Sequence, residues 1–210
     1  MRTLTFVVFC LTIIVGAGST LAQTTDLIIS EYVEGSGNNK ALEIFNGTED
    51  VINLSGYTIE RYSNGATEAV SIVLNAVDLQ PGDAHVIVNP SADATLLAHA
   101  DQTDADINFN GNDALVLAFG GSAIIDSFGR VGEDPGSYWA CDSGNTANHT
   151  MRRLSSICEG DLVVDDVFDP CTEWLFLPID VFSGLGDHIA DCGAVINEAS
   201  SWGDLKSMYR

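Results

Sequence analysis

Four aspartates, Asp161, Asp165, Asp166 and Asp169, fall within nine residues with no basic side chain between them. Carboxylates at that density, helped by backbone carbonyls, can supply the roughly six to eight oxygens that a calcium ion takes. The intervening Leu162-Val163-Val164 argues the other way, because an apolar run would bury rather than coordinate. A solvated acidic loop is therefore the plainer reading, and calcium the sharper one. The second set is Cys141, Cys158, Cys171 and Cys192. None belongs to a Cys-x-x-Cys pair or neighbours a histidine at ligand spacing, so zinc is not expected and two disulfides are. The third is Gly35-Ser36-Gly37-Asn38-Asn39-Lys40, which superficially looks like a phosphate cradle. Such a cradle needs a helix directly behind it and Ser or Thr after the lysine. Here Ala41-Leu42-Glu43-Ile44-Phe45 alternates like a strand and stops at Asn46-Gly47, so the loop is read as a turn.

Nothing else converges on catalysis. His85, His99, His149 and His188 share no metal-ligand spacing, and there is no Gly-x-Ser-x-Gly elbow. A hydrolase built on paired acids and a divalent metal would need converging geometry that a sequence does not display. The chain is expected to carry no catalytic residue and not to be an enzyme. Arg152-Arg153 is the only basic pair, and amid so many acids it is expected to pair internally with loop carboxylates.

The setting of these residues follows from charge and from the two ends of the chain. With 30 acidic against 8 basic residues the net charge is −22, which repels phosphate backbones. Direct nucleic-acid binding, which needs a basic stripe, is not expected. Arg2, the apolar run Leu4 to Val15 and the small-residue site Thr20-Leu21-Ala22 read as a secretory signal peptide, residues 1–22, cut after Ala22. No later apolar segment suggests a membrane span, so a secreted or extracytoplasmic location is expected. One domain is expected over residues 23–192. Residues 193–210 form a tail in which Trp202, Leu205, Met208 and Tyr209 sit at helical spacing.

The elements that must position everything are strands. Leu27 to Ile29, Lys40 to Phe45, Tyr57 to Tyr62, Val70 to Leu74, His85 to Val88, Leu115 to Phe119 and Ala123 to Phe128 are short β-rich runs. Turn signals such as Asn46-Gly47, Asn64-Gly65 and Pro81-Gly82-Asp83 separate them. That rhythm predicts an all-β sandwich or barrel. One short helix is expected in Ala92 to Ala100. Beyond Gly136 the regularity stops, and residues 137–192 are read as a long disulfide-tied excursion.

Three segments carry a resemblance: residues 26–65, "LQPGDAHVIVNP" and "NGNDALVLAFGGSAIIDSFG". Their "Glu-Ile-Phe-Asn", "Asn-Leu-Ser-Gly-Tyr" and "Gln-Pro-Gly-Asp" signatures resemble the lamin tail domain. That resemblance implies an immunoglobulin-like β-sandwich without catalytic function. "HTMRR" (149–153), "CEGD" (158–161), "FDP" (168–170), "EW" (173–174) and "FSGLGDH" (182–188) resemble a bacterial secreted subset found with endonuclease/exonuclease/phosphatase-type nucleases. Where that subset carries a Gly-Asp-Thr-Asn-Gly-Ser-Asp loop of calcium-binding appearance, this chain has Gly160-Asp161-Leu162-Val163-Val164-Asp165-Asp166, without the amide and the second glycine. Because Cys158 and Cys192 flank the most family-like stretch, the pairing favoured is Cys158–Cys192 with Cys141–Cys171, the other connectivities remaining open. Two functions are therefore expected: a secreted module for adhesion or protein interaction, with an unknown surface partner, or an accessory or truncated relative of an extracellular nuclease.

Overall fold

The computed structural model describes residues 24–191; the expected signal peptide, Cys192 and the expected tail lie outside them. In chain order the strands are β1 (Leu27–Glu34), β2 (Lys40–Asn46), β3 (Ile52–Asn53), β4 (Tyr57–Tyr62), β5 (Val70–Val73), β6 (Asp78–Leu79) and β7 (Ala84–Val88). After the short helix α1 (Ala94–Leu97) come β8 (Gln102–Thr103), β9 (Ala114–Phe119), β10 (Ala123–Phe128), β11 (Ala140–Cys141), β12 (Gly144–Asn145), β13 (Thr150–Arg153) and β14 (Trp174–Leu177). One sheet runs β14-β13-β1-β2-β7-β8 and the other β10-β9-β4-β5, with two small ribbons, β11-β12 and β3-β6. The alternating runs of the sequence all became strands.

Period-two alternation gives each sheet an inward row. Leu27, Ile29 and Tyr32 of β1, Leu42 and Ile44 of β2 and Ile87 of β7 meet Ile59, Ile72, Leu115, Leu117 and Phe128 of the other sheet in one core. Tyr32 stacks between Phe109 and Phe128, at centroid distances of 4.8 and 4.2 Å. Burying a side chain of this size contributes on the order of 1.5–3 kcal/mol, so this row is the main source of stability. The six-stranded sheet is covered on its other face as well. There Val33, Ala41, Val86 and Val88 pack against Leu96 of α1 and against Phe182 and Leu185. Asp93 caps α1 by accepting the Thr95 and Leu96 N–H groups, both at 2.9 Å.

The glycine loop is a hairpin turn between β1 and β2. The Gly35 N–H donates to the Asn39 carbonyl at 2.8 Å, Gly37 has φ of 57°, and the Lys40 ammonium turns back onto Glu34 at 2.8 Å. Asp180 secures the turn by accepting from the Ser36 N–H, the Ser36 hydroxyl and the Asn39 amide.

The stretch after Gly136 does more than loop around the sandwich. Its β13 pairs with β1 through Glu31–Arg152, Tyr32–Met151 and Val33–Thr150, and β14 extends the sheet. The Cys141–Cys171 disulfide forms, tying the β11-β12 ribbon to the turn before β14. Cys158 is also disulfide-bonded, while the partner expected for it, Cys192, lies outside the described residues. No described helix is long and apolar enough to cross a membrane.

Candidate functional site: an acidic hollow and a sealed carboxylate row

Two groups of carboxylates stand out, and an anchor lies beside the first of them. The anchor is Asp126, fully buried on β10 just after a register shift that follows Ile124. Its carboxylate accepts the N–H groups of Ile29 on β1, of Ser127 beside it and of Asp161 in the excursion, each at 2.8 Å. The Arg153 guanidinium completes the set at 2.9 Å. Arg153 is itself buried, lies 5.0 Å from the Trp174 ring centroid and reaches Glu173 at 2.8 Å. Desolvation pushes the Asp126 carboxyl up, with Arg153 and the three N–H donors pulling the other way. The excursion is thus pinned to both sheets by one aspartate.

Above the anchor is a hollow of about 360 Å³ lined by Glu159, Asp161, Asp166, Asp169, Glu173 and Ser127, among others. The structure therefore brings together three of the four aspartates singled out in the sequence. Asp165 is not with them; it faces a separate depression with Arg130 and Glu133, and its carbonyl accepts from the Arg130 Nε–H at 2.8 Å. Asp161 and Asp169 accept local N–H groups from Val163 and Cys171. The apolar run does not bury as expected: Leu162 and Val163 are 62% and 53% exposed, and Val167 is 80% exposed. The run is fastened at its start by the Asp161 N–H on Asp126 and further along by the Val164 carbonyl, which accepts the Val131 N–H at 2.7 Å. Asp169 also approaches the sulfurs of Cys141 and Cys171, but these are bonded to each other and offer no thiolate.

The second group is sealed. Glu31 and Glu43 are directly opposed across β1 and β2, and Arg152 continues the row on β13. Like charges facing each other across a ladder repel, and here each carboxylate has its own donor. The Arg152 Nε–H donates to Glu31 at 2.7 Å. Glu43 accepts the Ser30 hydroxyl at 2.6 Å and the Gly186 N–H at 2.5 Å. The lid is the segment 182–188: Phe182 and Leu185 pack on the sheet, and His188 meets Phe45 edge-on at 4.9 Å. Gly184 lies so close to Arg152 and Glu31 that a Cβ there would collide with both side chains. Burial pushes Glu43 up to about 7, and burial beside Arg152 and Arg153 pulls His188 down to about 4. Glu31 is raised by the same desolvation, against the pull of Arg152.

The remaining candidates are structural. His85 is buried with its Nε2 3.2 Å from the Gln102 Oε1, and the His149 Nδ1 lies 2.8 Å from the Ala147 carbonyl. Asn46, the first of three glycosylation-type triplets, is fully buried, and its amide donates to the Asp50 and Leu79 carbonyls. Glu31 and Glu43 were missed by the sequence reading, because they occupy the polar positions of alternating strands that normally face water.

No curated protein matches the chain. The family model described as Lamin Tail Domain matches residues 20–132, a span that contains every strand from β1 to β10. Of the hollow only Ser127 falls within it; the acidic side chains follow it. More than half of the chain matches that model, and the described residues fold as the two-sheet sandwich it calls for, so the protein belongs to the lamin tail domain family.

Proposed function

We propose that the chain is an exported, non-catalytic binding module that meets a protein partner outside the cytoplasm through the loop 161–169. The observation that carries this reading is the exposure of Leu162, Val163 and Val167 on a segment whose backbone is fastened to the sandwich. Apolar side chains presented together on an anchored loop are the usual mark of an interaction surface, and they lose little conformational entropy when a partner covers them. The Cys141–Cys171 bridge supports an oxidising compartment. A photo-reactive residue in place of Val163 should cross-link one envelope or surface protein of the source cell. The same residue in place of Val73, exposed on the distant edge strand β5, should not; equal capture at both positions would dismiss the reading.

The segments that resemble the nuclease-associated subset have structural work of their own. Thr150–Arg153 is a strand of the main sheet, Glu173 pairs with Arg153, and 182–188 is the lid. An accessory role beside a nuclease would show as faster plasmid cleavage by such an enzyme when this chain is added.

A further inference from the structure

We infer that the outer edge of β14 is a strand-docking site, and that its occupant is an extended segment of the protein partner, apolar at alternate positions and carrying Lys or Arg at its ends.

The backbone of β14 has one side to spare. The strand ends the six-stranded sheet, with β13 on its inner side. The Leu154 N–H donates to the Glu173 carbonyl at 2.8 Å, which makes Leu154 and Glu173 a hydrogen-bonded pair. Such pairs recur at every second position of an antiparallel ladder, so Leu175 and Leu177 turn their amides and carbonyls towards Arg152 and Thr150. Trp174 and Phe176 turn theirs away from the sheet. The Trp174 N–H is taken by the Pro170 carbonyl at 3.2 Å. The Trp174 carbonyl and both backbone groups of Phe176 have no partner among the described residues.

The side chains suit the same use. Trp174 and Phe176 face the core, while Leu175, on the opposite face by alternation, is 49% exposed and Ile179 beyond it 41%. No charged residue falls between Trp174 and Ile179. Sheet edges are normally blunted by a charge, a cover or a short length, and the other edges here are. The Val73 carbonyl of β5 is capped by the Gln102 amide at 2.8 Å, β8 is two residues long, and β10 is covered by the excursion, whose Asp161 N–H reaches Asp126.

An open apolar edge takes up a strand through main-chain hydrogen bonds, and alternate side chains set the preference. Charge decides which strand. Two copies of this chain would each bring a net charge of −22 and repel. The acids that border β14 call for the opposite sign: Asp169 before it and Asp180 after it have no ion-pair partner among the described residues. A segment with Lys or Arg flanking alternate apolar residues meets both features. The inference rests on the proposed function for the existence of a partner and adds how that partner is held.

The probe is a synthetic peptide of alternating valine and threonine with lysines at both ends, added to the purified, isotope-labelled chain and followed by amide NMR. The expected result is saturable shifts centred on Leu175 to Leu177, with slowed exchange of the Phe176 N–H. Glutamates in place of the peptide's lysines, or a proline in its middle, should abolish binding. Leu175→Lys should weaken it by on the order of tenfold, and Val73→Lys, on β5, should leave it nearly unchanged, with melting curves confirming that both variants fold. Absence of saturable shifts, shifts centred on another edge, or undiminished binding by Leu175→Lys overturns the site. Concentration-dependent dimerisation that Leu175→Lys removes would give the edge to a second copy and overturn the occupant. A photo-reactive residue in place of Leu175 separates the two readings in the source cell. Capture at Val163 alone keeps the loop 161–169 as the contact and overturns the edge, whereas peptide docking on β14 with capture at Leu175 alone supports the edge and dismisses the loop.

Discussion

The sealed row of Glu31 and Glu43 and the open hollow of Asp161, Asp166 and Asp169 are both carboxylate clusters, yet the chain treats them in opposite ways. In the row, charges that cannot reach water are each given a donor: Arg152 for Glu31, and Ser30 with Gly186 for Glu43. In the hollow, water screens the charge and few donors are supplied. The difference teaches that the count of acids says little about a site. What matters is whether the fold has already compensated them, because compensated charges hold structure together and uncompensated ones are left for something else to bind.

The fully compensated aspartate beside the hollow offers the most severe test of this contrast. Asp126→Ala strands the Arg153 guanidinium and three N–H donors without their acceptor. Breaking a buried pair from one side should cost about 3–5 kcal/mol, read as a lower urea midpoint. The covalent tie comes next. Replacing Cys141 and Cys171 by serine opens a loop of sequence separation 30 and should lower stability by about 3–4 kcal/mol on the loop-entropy account. Equal midpoints before and after reduction would show that packing alone holds the ribbon.

A third test uses pH and concerns the row alone. Glu43 is raised from 4.5 to about 7, so the folded protein holds a proton there that the unfolded chain releases. Its stabilising contribution is present below pH about 4.5 and is lost as pH rises to about 7, on the order of 3 kcal/mol in all. His188 has the opposite sign: lowered from 6.5 to about 4, it contributes stability above pH about 6.5 that is lost as pH falls to about 4. The two slopes nearly cancel in the native protein. Glu43→Gln should therefore unmask stability that rises between pH 4 and 6.5, and His188→Asn stability that falls between pH 4.5 and 7, both followed by thermal melting across the range. Parallel pH curves for both variants would mean that the lid does not seal these groups. The smallest effect belongs to the hollow. Asp166→Asn should change stability by no more than about 0.5 kcal/mol, as for an ordinary surface position, and a large loss would place that aspartate in the compensated class.

Much of the fold could be read from residue pattern. Leu27, Ile29, Leu42, Ile44, Leu115 and Leu117 announce their strands because one face of each is apolar, and Pro81-Gly82 and Asn46-Gly47 mark where the chain reverses. β13 escaped notice because Thr150–Arg153 carries two arginines and finds its place only by pairing with β1, more than a hundred residues earlier. The lid was invisible for a related reason. Glu31 and Glu43 look like water-facing positions until a segment some 140 residues later covers them. At the hollow the acids were legible but their grouping was not, since Asp165 and Asp166 are neighbours in sequence and face different depressions. Leu162 and Val163 misled because hydrophobicity predicts burial only where a core lies within reach.

The placement of β13 has a practical corollary for anyone trimming the protein. The span matched by the family model ends before Thr150, so a fragment cut there would present β1 as a bare border with unpaired amides and carbonyls along the stretch Glu31–Val33. Such a border recruits strands from other molecules. The later third of the chain therefore serves as a built-in guard against self-association, and a shortened version should clump in solution however well its first ten strands are made.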